Sequence, residues 1–144
     1  MQNKMGKMDS NQMIPERQDR KVILSTLWIF AVLNYIYADV FGLFFNPTAQ
    51  AETMKMTEGR AFGFAVLMET AIAMVLLSRV LKYRANRWAN IIAGILNTAA
   101  VFLTLLVRTP APYYILFATI EIACTLFIIW YAWKWPNPED NSKP

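Results

Sequence analysis

Four stretches, residues 22–45, 60–81, 88–107 and 112–133, are dominated by apolar side chains and almost bare of charge. Each is long enough to cross about 30 Å of hydrocarbon as a helix, which takes about 20 residues. Inside a bilayer every backbone N–H and C=O must be paired, and a helix pairs them within one segment. The small and polar residues of these runs recur at helical spacing. The fold expected is therefore all-α: an integral membrane four-helix bundle filling residues 22–135. With 56% hydrophobic and 17% charged residues, the chain is too apolar for an ordinary soluble domain.

The charges gather at the ends of the runs. Lys4, Lys7, Arg17, Arg20 and Lys21 precede the first, Arg79, Lys82, Arg84 and Arg87 join the second to the third, and Lys134 and Lys143 follow the fourth. Only Lys55, Arg60 and Arg108 lie on the opposite side. Basic residues are retained on the cytoplasmic face, so both termini are expected to be cytoplasmic, in a multi-pass protein of the cell membrane. Residues 1–21 read as a flexible basic cytoplasmic tail interrupted by Pro15, and 136–144 as a disordered C-terminal tail. The first run is too long for the core of a signal peptide and no Ala-x-Ala site follows it, so it is read as an anchor. A pI near 9.3 points here to anionic lipid and not to nucleic acid, because the cations flank apolar spans.

The chain has no histidine, which excludes imidazole-held haem, His-based zinc, the Glu-x-x-His di-iron pattern and a Ser-His-Asp triad. Cys124 stands alone within an apolar run and reads as a buried structural thiol. Met1, Met5, Met8 and Met13 resemble soft copper ligands only in composition, and no metal is expected.

Within the runs, a few polar residues fall at similar depth. With a rise of about 1.5 Å per residue, the centres of the four spans lie near Asn34, Glu69, Asn97 and Glu121. Asp39 sits about 7 Å nearer the outer surface, four residues from Tyr35 and on the same helical face. In the third span Asn90, Gly94, Asn97, Val101 and Thr104 share one face, as do Tyr114, Ala118, Glu121, Thr125 and Ala132 in the fourth. Ala65 and Ala73 flank Glu69 one turn either side, which favours its burial against a neighbouring helix. No Lys or Arg lies at that depth, so at least one of Glu69 and Glu121 is expected to be a neutral acid, hydrogen-bonded to Asn34, Asn97 or the other carboxyl. Tyr37 fits an interfacial aromatic, and Trp130, Tyr131, Trp133 and Trp135 a belt at the inner interface. Asn46-Pro47 ends the first helix. Residues 48–59 suit either a short helix at the outer surface or an unstructured connector, and Gly59 with Gly63 forms a G-x-x-x-G spacing that permits close helix approach.

Glu69, Leu76-Leu77 and Arg79 followed by a third apolar span resemble the DoxX-like superfamily of small four-helix membrane proteins, with Ser78 where a glycine is often found. Asn34-Tyr35-x-Tyr37-x-Asp39 resembles more specifically a family of uncharacterised bacterial membrane proteins of this size. The superfamily resemblance spans about half the chain, and implies that Glu69 is the family's second-helix acid and that a role beside a quinone-linked oxidoreductase is open to the protein.

The candidate residues for ligand binding or proton relay are thus Asn34, Tyr35, Asp39, Glu69, Asn97 and Glu121. Three functions fit them. One is an accessory or redox-partner protein holding a quinone or lipid-like molecule, alone or as a homo-oligomer. Another is a small proton-coupled transporter or channel. The third is a purely structural layer of interhelical glue. An enzyme is least favoured, because neither nucleophile nor metal cluster nor phosphate-binding loop is present.

Overall fold

The computed structural model describes residues 2–107 and 110–136, with side chains from residue 18 onward. Five helices follow one another: α1 (Gln2–Phe45), α2 (Pro47–Met54), α3 (Glu58–Val80), α4 (Tyr83–Val107) and α5 (Pro112–Trp133). The long helices form a ring in chain order, α1 against α3, α3 against α4, α4 against α5 and α5 back against α1. Four of them contain segments long and apolar enough to cross a membrane, beginning at Gln18 in α1.

Helix α1 runs through Pro15, where a break was expected. Proline removes one intrahelical hydrogen bond, but strong helix formers such as Lys, Met, Glu, Arg and Gln surround this one. The side chains of residues 1–17, the four methionines among them, lie outside the described residues, as do Arg108, Thr109 and the tail from residue 137.

The Asn46-Pro47 boundary behaves as its chemistry dictates. Asn46 is extended, its Oδ1 accepts from the amides of Thr48 and Ala49 at 3.1 and 3.2 Å, and Pro47 opens α2 where its missing N–H costs nothing. The junction between α3 and α4 is shorter than the basic segment at 79–87 suggested. Only Leu81 and Lys82 separate the helices, so Arg79 closes α3 while Arg84 and Arg87 belong to α4. Lys21 Nζ from α1 donates to the carbonyl of Leu81 at 2.7 Å, tying the first helix to this turn.

The interior follows helical spacing. Leu24, Trp28 and Ala31 of α1 meet Ala71 and Met74 of α3, Ile91 and Ala93 of α4, and Cys124, Ile128 and Ala132 of α5. Cys124 is buried, with its Sγ 3.4 Å from the carbonyl of Leu27. Small residues permit close approach: a Cβ built on Gly94 would lie 2.6 Å from Ile129 Cγ1, so α4 and α5 touch there as only glycine allows. The outer surface, by contrast, is lined with large apolar side chains from all four long helices, Phe30, Leu76, Leu106 and Leu116 among them.

Several polar residues are buried instead, and they form a network at the end of the bundle nearest the α3–α4 turn. Asn90 Oδ1 accepts from Trp28 Nε1 at 2.7 Å and from Ser78 Oγ at 3.1 Å, while Asn90 Nδ2 donates to the carbonyl and Oδ1 of Asn86. Asn86 in turn donates to the carbonyl of Ser78. Ser78 thus has a hydrogen-bonding task that glycine could not perform. Trp135, read as part of an aromatic belt, is 3% exposed and packs edge-on against Tyr83, whose hydroxyl donates to the Trp135 carbonyl at 2.7 Å. Trp130 and Trp133 do face outward, beneath Lys134 and Arg87 respectively.

Candidate functional site

Helix α3 sets the shape of the site. Its C-terminal half buries Ala71, Met74 and Ser78, yet every residue from Glu58 to Val66 is exposed. The helix stands away from the bundle at that end, where α2 and the start of α5 also lie. A cavity of about 760 Å³ opens there between all five helices.

Its floor is polar. Tyr35 Oη donates to Asn97 Oδ1 at 2.9 Å across the diagonal of the ring, and Asn97 Nδ2 donates to the carbonyl of Ala93 one turn back. Glu121 lines the same floor, 4% exposed, and its Oε1 is buried with no hydrogen-bond partner among the described residues. One turn from Glu121, Thr125 shares a 2.7 Å hydrogen bond with Thr98 and fixes α5 against α4. Asp39 lies on the wall nearer the mouth, with no hydrogen-bond or ion-pair partner among the described residues. Apolar residues of α3 and α4, including Phe64, Leu67, Met68 and Val101, complete the walls. At the mouth the α2 cap is held by Asn46 Nδ2, which donates to Tyr113 Oη at 3.3 Å.

Four of the six sequence candidates therefore meet: Tyr35, Asp39, Asn97 and Glu121. The spacing of Tyr35 and Asp39, and that of Tyr114, Ala118 and Glu121, places each set on the cavity as the helical faces require.

The other two do not join them. Asn34 is buried but turns back on its own helix, with Nδ2 donating to the carbonyl of Phe30 at 2.9 Å. Glu69 is exposed, lines no part of the cavity, and has no hydrogen-bond or ion-pair partner among the described residues. Its expected burial fails because the small-residue stripe faces outward: Ala65 is exposed, and the inward face of α3 is carried by Ala71, Met74 and Ser78. Gly59 and Gly63 likewise have nothing within 4 Å of where a Cβ would stand, so their spacing packs against no helix of this chain. A single level of four polar residues is thus replaced by two separate sites, the cavity floor and the Trp28–Asn90 network.

The cavity also has lining residues that sequence reasoning passed over. Glu52 on α2 and Tyr113 at the start of α5 both face it. Only the cap geometry of Asn46-Pro47, which folds α2 back over the mouth, could have suggested Glu52. Tyr37, the interfacial aromatic, is 56% exposed and stays outside the cavity. Among the described residues no group of three or more Cys, Asp or Glu side chains has the arrangement of a metal site.

Comparison with known proteins returns no curated protein and no solved structure that matches. A family model does match, over residues 12–142, and it covers α1 from residue 12, all of α3, α4 and α5, and the whole cavity. The chain belongs to DUF6326, a family of unknown function.

Proposed function

We propose that this chain is a four-span membrane protein, with both termini cytoplasmic, that binds a small amphiphile in the cavity beneath α2. The apolar exterior supports insertion, since large hydrophobic side chains cover all four long helices while Asn, Ser, Thr and Glu are buried. Basic residues at one end, with Arg20 over Tyr131, Arg87 over Trp133 and Lys134 over Trp130, support a cytoplasmic interface there. The cavity then opens toward the outer surface.

The observation that carries the binding reading is Glu121: a buried carboxyl with an unpartnered oxygen, at the floor of an apolar-walled space. An unmet buried polar atom costs about 1–3 kcal/mol, and a ligand's polar head offsets that cost. Pockets of this kind, mostly apolar with a few convergent polar groups, are the usual form of a small-molecule site. An amphiphile held here, a quinone or lipid-like molecule among the candidates, serves a partner or a passage through the membrane. The DoxX-like resemblance is compatible with an accessory role of that sort.

Native mass spectrometry with lipid extraction tests the reading. Protein taken from membranes of its source is expected to carry an amphiphile that Glu121→Gln loses and Glu69→Gln keeps. An empty wild-type protein, or equal retention by Glu121→Gln, sinks it. Thiol labelling of single cysteines placed at Thr53 and at Ser142, in a Cys124→Ser background, checks the orientation. Labelling of position 53 from outside and of position 142 only after permeabilisation is expected.

A further inference from the structure

The hydrogen-bonding inventory of the cavity is lopsided. The donors on its floor are already engaged: Tyr35 Oη–H on Asn97, Asn97 Nδ2 on Ala93, and Thr104 Oγ1–H on the carbonyl of Ala100. On the floor and the wall above it, what remains open is Glu121 Oε1 and the oxygens of Asp39. Glu52, which already has an interaction of its own, stands at the rim, and no Lys or Arg lines the cavity among the described residues. Aromatic rings of Tyr113, Tyr114 and Phe64 stand around the same space, and ring faces attract cations.

A quinone presents carbonyl acceptors and an anionic lipid presents phosphate oxygens. Either would meet an ionised Glu121 and Asp39 with like polarity, whereas a bound cation favours that ionised state. An ammonium or another organic cation supplies what the floor lacks: a positive charge or N–H donors directed at two carboxyl groups that line the same space. We propose that the amphiphile bound beneath α2 is an organic cation, with its charged head between Glu121 and Asp39 and its apolar part along Phe64, Leu67, Met68 and Val101. This assignment rests on the cavity being a binding site, as argued above, and it narrows the ligand to a chemical class.

Two ions of nearly the same shape and opposite charge, tetraphenylphosphonium and tetraphenylborate, provide the test. Equilibrium dialysis of the full chain in nonionic detergent micelles is expected to show saturable uptake of tetraphenylphosphonium and none of tetraphenylborate. Glu121→Gln and Asp39→Asn should each weaken that uptake about tenfold or more, the loss of one partly screened charge contact. Glu69→Gln, a carboxyl removed outside the cavity, should leave it unchanged. Asp39 is exposed at the wall, so its variant reports on binding even where Glu121→Gln compromises folding, as judged by elution volume and circular dichroism. Equal uptake of both ions, or cation uptake that both cavity variants preserve, overturns the proposal. If the charge preference is absent while a co-purifying amphiphile is still lost from Glu121→Gln, the cation assignment alone falls. If neither is seen, the binding reading falls with it.

Discussion

Replacing Asn90 by Leu isolates the network at the α3–α4 end of the bundle. The side chain is fully buried and its Oδ1 serves two donors on two other helices, Trp28 Nε1 at 2.7 Å and Ser78 Oγ at 3.1 Å. The Ser78 hydroxyl can rotate toward a carbonyl of its own helix, but the indole N–H is rigid and stays unpaired. An orphaned buried donor costs about 1–3 kcal/mol, and a hydrogen bond between membrane helices contributes about 0.6 kcal/mol on average. Together with the lost bonds to Asn86, the expected destabilisation is about 2–4 kcal/mol. Asn34→Leu is the matched control: the same change at a buried amide whose described hydrogen bond goes to its own helix, at the carbonyl of Phe30. Its cost should stay below about 1 kcal/mol. Reversible unfolding in mixed detergent micelles, followed by tryptophan fluorescence, measures both. If the two variants differ by less than about 0.5 kcal/mol, cross-helix bonding by Asn90 does not stabilise the bundle and the reasoning is refuted.

Gly94→Val should cost about 1–3 kcal/mol in the same assay, because the added atoms collide with Ile129 where α4 and α5 pack at this glycine. Wild-type stability in that variant would mean that the helices can part there freely. Tyr35→Phe removes only the hydroxyl that reaches Asn97, so it should leave the fold intact while weakening retention of the co-purifying amphiphile; an unchanged yield of ligand removes Tyr35 from the site. Glu69→Leu should leave the monomer's unfolding free energy unchanged or higher, since an apolar side chain replaces an exposed carboxyl on an apolar span. A loss greater than about 1 kcal/mol would show that Glu69 has a partner in another chain.

Much of this architecture can be read without coordinates because it depends on one-dimensional quantities. Run length against bilayer thickness yields four long helices, and the Asn46-Pro47 pair marks the end of α1 because a missing amide proton is a local fact. Facing within a helix is nearly as local. The three-and-four spacing of Asn90, Asn97 and Val101 in α4, and of Ala118, Glu121 and Thr125 in α5, identifies the buried stripes.

Depth and face together do not determine which helix meets which, and that is what the tertiary structure decided. Glu69 and Asn97 share a depth by counting, yet α3 leans away over residues 58–66 with Ala65 and Glu69 exposed, leaving Glu69 outside the cavity that Asn97 lines. The reason is packing. α3 presents Ala71, Met74 and Ser78 to its neighbours, and Ser78 is drawn in by its bonds to Asn86 and Asn90. A helix is a rigid rod, so anchoring one end by that network fixes the direction of the other. Sequence alone determined that this chain hides polar residues among four apolar helices; the angle of α3 decided that Tyr35, Asp39, Asn97 and Glu121 face a common space and that Glu69 does not.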